Sequence, residues 1–125
     1  ASLGEASGYI PYTVYMASDA FLKENPESVE AFTRAICRGQ QWVADHPAEE
    51  IAEVILPQFP ESDIDTLTEI IDRYKSQDTW KEDPRISEEG FTLMQEIMKQ
   101  GGELSAPVPF NKLVDPSFAE KVILK

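Results

Sequence analysis

The chain has 125 residues, 42% of them hydrophobic, and a formal net charge of −12 from 23 Asp and Glu against 11 Lys and Arg. That length suits one domain with a real core, while an acid excess in both halves disfavours nucleic acid and anionic membrane surfaces, which attract clustered cations. One Cys and one His exclude an intrachain disulfide and a structural zinc site, and no apolar run approaches the ~18–20 residues that span a bilayer.

The first eight residues are small and polar, with no Lys/Arg-led signal segment, and are expected to be a disordered or cut N-terminus. Residues 9–125 are expected to form one unit. Tyr9-Ile10-Pro11-Tyr12-Thr13-Val14-Tyr15-Met16-Ala17 is the one good strand candidate, rich in aromatic and β-branched residues. Pro11 makes its beginning a strand entry or an edge. A single strand makes no sheet, so this segment is either irregular or paired with strands that this chain does not supply.

Helix signals follow. Ser18 is a cap for a short helix carrying Phe21 and Leu22 that stops at Asn25-Pro26. Asn25 then caps a longer helix with Pro26 in its first turn, and Glu27 and Glu30 suit its positive end. Val29, Phe32, Ile36, Gly39 and Val43 recur at steps of three and four, widened by Ala35 and Trp42 into an amphipathic stripe. His46-Pro47 ends that helix and opens one with Ala48, Ile51, Ala52 and Ile55 on its face. Pro57 and Pro60 close it. Ser62 starts a helix carrying Ile64, Leu67, Ile71 and Tyr74, and 76–86 reads as a charged loop around Trp80 and Pro84. Ser87 caps a helix with Phe91, Met94 and Met98 on one side, stopped by Gly101-Gly102. Pro107-Val108-Pro109 is extended, and Asp115-Pro116 opens a last short helix with Phe118, Val122 and Ile123. The intervals between these starts differ, so there is no repeat.

Catalytic signatures are sparse. No nucleophile elbow, phosphate-cradling glycine loop or paired-histidine zinc motif is present. His46 reads as a solvent-facing residue at a helix boundary, and Cys37, beside the apolar stripe, as a buried structural thiol. Glu49, Glu50, Glu53, Glu88 and Glu89 fall near helix starts, where the dipole favours acids and a solvated face is the plain reading. Trp80 reads as packing over helix ends. The tyrosines of 9–15 have more functional character, because a flat ring with a hydrogen-bonding tip suits a small-molecule pocket. In a regular strand, Tyr9 and Tyr15 would share one face and Tyr12 the other.

The run from Gly8 to about Ile123 resembles the C-terminal portion of substrate-binding proteins of ABC importers. The nearest group is the thiamine-pyrimidine-precursor set, related to the nitrate, sulfonate and taurine binders. The resemblance lies in Gly8-Tyr9-Ile10-Pro11-Tyr12-Thr13, Phe21-Leu22-Lys23-Glu24-Asn25-Pro26-Glu27 and Val29-Glu30-Ala31-Phe32-Thr33-Arg34-Ala35. It continues through Gly39-Gln40-Gln41-Trp42-Val43, Tyr74-Lys75, Trp80, Pro84 and Ser87-Glu88-Glu89-Gly90-Phe91. Met94-Gln95-Glu96-Ile97-Met98, Gly101-Gly102-Glu103-Leu104 and Phe110-Asn111-Lys112-Leu113-Val114-Asp115 close it. It implies a mostly α chain with one or two short strands, forming the C-terminal segment of a two-lobed α/β periplasmic-binding-protein-like fold of type II. On that reading the chain is a fragment or a separately expressed piece, an incomplete lobe whose sheet partners lie upstream.

The function implied is capture of a small molecule and its delivery to a membrane permease, outside the cytoplasm, in the periplasm or lipid-anchored at the cell surface. It is non-enzymatic and requires no cofactor or metal. Tyr9, Tyr12 and Thr13 are the expected ligand contacts, through ring stacking and oriented hydrogen bonds. Self-association is expected of the isolated helices, whose apolar faces need a cover. Two other readings stand beside this one: a pyrimidine-precursor biosynthesis enzyme of the same fold, and a helical interaction module without a small-molecule site.

Overall fold

A computed structural model describes residues 7–123. Among them the regular structure is helical throughout: α1 (Asp19–Glu24), α2 (Pro26–Asp45), α3 (Ala48–Ile55), a 3-10 turn (Leu56–Gln58), α4 (Ile64–Ser76), α5 (Glu88–Gln100), α6 (Phe110–Leu113) and α7 (Ser117–Ile123). The chain divides into two compact units: residues up to Arg34 together with those from Arg85 onward, and Ala35–Pro84. The division falls within α2.

In the unit Ala35–Pro84, α3 and α4 form a helical hairpin. Ala48, Ile51 and Ala52 of α3 meet Leu67 and Ile71 of α4 in its core, with Trp42, Val43, Ile55 and Leu56 packed around them. Two alanines let the helices approach closely, and Ile71 is the largest fully buried side chain. Asp63, one residue beyond the expected Ser62, caps α4 by accepting from the Thr66 amide at 2.8 Å. The end of α2 is tied down by Lys75, whose Nζ donates to the carbonyls of Val43 and His46 at 2.6 Å each and of Ala44 at 3.3 Å. Those are the carbonyls a helix C-terminus leaves without an internal partner. Gln40 Nε2 donates to the Asp83 carbonyl at 3.1 Å, tethering the loop that ends the unit.

In the other unit, Phe91 and Gln95 of α5 are buried, as are Ala119 and Val122 of α7. Phe91 meets Phe110 of α6 edge to face, with centroids 5.4 Å apart. The Gln95 side-chain amide pairs with both backbone groups of Val108, accepting from its N–H at 2.7 Å and donating to its carbonyl at 3.0 Å. A side chain thus supplies what a neighbouring strand would, and it holds the Pro-Val-Pro segment against α5. Glu30 of α2 pairs with Arg34 one turn on and with Lys121 of α7.

The helical part of the expected fold is present, and the strand content is not. Residues 9–17 carry no strand. A strand exists only through ladder hydrogen bonds to a neighbour, and among the described residues there is no second strand to pair with. The first six residues of the expected disordered or cut N-terminus lie outside the described residues.

Candidate functional site

The aromatic segment after Gly8 lies in the unit that holds α5 and α7. Gly8 turns the chain with φ +75°, a backbone region that favours glycine. The segment then passes close to the first turn of α5. A Cβ at Gly90 would sit 2.9 Å from the Tyr9 carbonyl oxygen and 3.5 Å from Pro11 Cδ, so the Tyr9–Pro11 backbone rests where any larger residue would stand. Further on, Tyr15 meets Phe32 of α2 edge to face at 4.8 Å. The span is therefore seated on α5 at its root and on α2 near its end. Between these seats the chain is uncovered: Tyr12 is 93% exposed and Thr13 is also exposed.

Two open grooves flank α5. One, of about 420 Å³, is lined by Glu88, Glu89, Thr92, Leu93 and Glu96. The other, of about 300 Å³, lies beneath Pro107–Phe110 and is floored by Phe91 and Gln95. Gly8 lies against Leu93, which links the root of the aromatic segment to the first groove. Of the expected ligand contacts, Tyr9 sits at that root, and Tyr12 and Thr13 stand clear of it. None of the three lines either groove.

His46 departs from its expected solvent-facing position. Its ring is half-buried and stacks on Trp42 at 4.2 Å and 23°. Nδ1 lies 2.7 Å from the Trp42 carbonyl. A carbonyl only accepts, so the proton sits on Nδ1, and Nε2 points toward Glu50 at 4.0 Å. This is a helix-end support. Cys37 is buried, as the apolar stripe predicts. Trp80 packs edge to face on Tyr74, 5.3 Å away at the end of α4. Among the described residues, no group of three His, Cys, Asp or Glu is placed to hold a metal ion, and no helix is long and apolar enough to cross a membrane.

Gly90 and Gln95 organise this region, and the sequence reading passes over both. Gly90 had a signal: glycine in a helix costs about 1 kcal/mol against alanine, so its place two residues inside a well-capped start asks for a reason. Gln95 had none, because its partner Val108 is fixed only by the turn at Gly101-Gly102.

The sequence is similar to known proteins in two respects. Residues 5–50, which contain the aromatic segment, α1 and all of α2, match the family model described as NMT1/THI5 like. This bears out the resemblance over that stretch. It is 43% identical over 122 residues to a Bacillus subtilis (strain 168) protein named "Putative binding protein YtlA". That alignment covers 98% of this chain and 36% of the relative, so the chain spans about a third of the relative's length. No solved structure matches the chain at a significant level.

Proposed function

We propose that this chain belongs to the solute-binding component of an ABC importer, which captures a small molecule and hands it to a permease in the membrane. The observation that carries this reading is the 43% identity, across nearly the whole chain, to a protein named for binding. The same name favours a non-enzymatic role over the biosynthetic reading. Its place of work is extracytoplasmic, in the periplasm or lipid-anchored at the cell surface.

Tyr9, Tyr12 and Thr13 are the proposed ligand contacts. A phenol ring offers a stacking face, and the two kinds of hydroxyl orient polar edges. Residues 9–17 contain no Lys or Arg. Among thiamine-pyrimidine precursors, sulfonates and nitrate, this favours an uncharged planar ring over an oxyanion, which calls for cationic or multiple N–H donors.

Thermal-shift screening with pyrimidines, flavins, sulfonates and nitrate tests the reading. A true ligand at ~100 times its dissociation constant adds about 2.7 kcal/mol of stability. The expected outcome is a rise in Tm with a pyrimidine, and no rise with any member of the panel would overturn the proposal.

A further inference from the structure

We infer that Gly90 is the positioning residue for the aromatic segment: the space left by its missing side chain decides where Tyr12 and Thr13 are presented. The inference rests on the proposed role of those two residues in ligand contact.

Three observations lead there. First, Gly90 is buried, and a Cβ on it would lie 2.9 Å from the Tyr9 carbonyl oxygen and 2.8 Å from Ser87 Oγ. Real Cβ atoms do not tolerate such distances. A serine hydroxyl can rotate away, but a backbone carbonyl moves only with its chain. Second, Pro11 follows within van der Waals reach of the same point, at 3.5 Å from that Cβ. Its ring fixes φ, so a displacement at Tyr9 passes into Tyr12 instead of being absorbed. Third, residues 9–17 contain no charged side chain and no strand ladder. Close seating on α5 helps fix the direction of the root.

The two glycines at this junction act differently. Gly8 is required by its positive φ, because a Cβ there would meet only Leu93 Cδ2 at an ordinary 3.4 Å. Gly90 has helical backbone and is required by clearance. Replacing it by alanine should improve helix propensity in α5 while pushing Tyr9–Pro11 outward. A residue present only for helix stability would show the opposite preference.

The test compares Gly90→Ala with Ser87→Ala. The second variant removes the cap bond that Ser87 Oγ accepts from the Gly90 amide (3.0 Å) and adds no atom beside the Tyr9 carbonyl. Backbone NMR of the 125-residue chain is the first readout. In Gly90→Ala, contacts between Pro11 and residue 90 should vanish, and the amide resonances of 9–13 should shift and sharpen toward those of a mobile chain. In Ser87→Ala those signals should stay as in the wild type while the unfolding midpoint falls. If Gly90→Ala leaves the 9–13 resonances in place, or if both variants disturb them alike, the inference is overturned.

The second readout is titration with 4-amino-5-hydroxymethyl-2-methylpyrimidine. Gly90→Ala should weaken binding by about tenfold, equivalent to roughly 1.4 kcal/mol, with Ser87→Ala near the wild type. Equal affinity in Gly90→Ala and the wild type overturns the inference. A wild-type chain that ignores this pyrimidine counts against the ligand reading instead, and the resonances of 9–13 then decide the positioning claim alone.

Discussion

Asp63 lies at the surface, yet its carboxylate organises the first turn of α4. Oδ1 accepts from the Thr66 amide and Oδ2 from the Thr66 hydroxyl at 3.0 Å. The backbone bond first, and the hydroxyl second, hold its pKa below the usual 3.8. A depressed carboxylate contributes stability that is whole above the unfolded value and is lost as pH falls through the folded one. The Asp63→Ala variant should therefore unfold at lower urea than the wild type near neutral pH, and the gap should narrow as pH falls below 3.8 and through the lowered value, where the Asp63 carboxylate takes up its proton. Asp63→Asn should lose less, because its amide oxygen still accepts from Thr66. Urea midpoints across that pH range check this, and an unchanged gap in acid would contradict it. The sequence pointed to Ser62 for this cap, since both residues cap well and the tie is broken only by where Leu67 and Ile71 must face.

Among the elements, the α3–α4 hairpin carries the clearest core. Ile71 is 1% exposed and its neighbour Ile70 is 43% exposed, so adjacent isoleucines make a controlled pair. Ile71→Ala should destabilise the protein by about 2–5 kcal/mol, from lost burial plus the cavity left beside Ala52. Ile70→Ala should cost well under half of that, as a partly wet side chain leaves no closed void. Urea unfolding of the two variants measures the difference, and equal losses would place the hairpin core elsewhere.

The helices were legible because their signals are local. Ser18 and Ser87 cap as read, each accepting from the amide three residues on. Prolines 26 and 47 mark the starts of α2 and α3. Asn25 is a partial exception: its side chain reaches back to the Phe21 carbonyl at 3.4 Å and finishes α1 instead of capping α2. What stayed hidden depends on distant partners. Tyr9–Ala17 has strand composition, but a ladder cannot be read from one strand. The short α6, at Phe110–Leu113, is too brief for periodicity to reveal, and its Phe110 finds Phe91 only after α5 has folded. The aromatic segment was picked out by residue type, whereas the glycine that seats it was not, because the use of Gly90 lies in a backbone 80 residues away.

At the scale of the whole molecule, charge is the governing feature. Arg34 and Lys121 pair with Glu30, and Lys81 with Asp78 at 2.8 Å, but 23 acids against 11 bases leave the net at −12. A chain with this imbalance repels itself. Its Tm should therefore rise as NaCl goes from about 0.01 M to about 0.15 M, where the screening length falls from ~30 Å to ~8 Å. A flat or falling Tm would mean that attractive pairs dominate. Sedimentation in the same salt series tests the self-association expected of its apolar faces, which screening should strengthen. A monomer at every salt concentration would contradict it.

The three carbonyls gathered by Lys75 have a consequence in covalent chemistry. An amine attacks an acylating reagent through a free lone pair, and the Lys75 nitrogen has its hydrogens committed to Val43, Ala44 and His46. To react it must leave the end of α2, so it should be acylated more slowly than an open lysine such as Lys112. Once acylated it could not return as a cation. Reagent chemistry at this one side chain would then act as a latch, holding open a helix end that the native protein keeps shut.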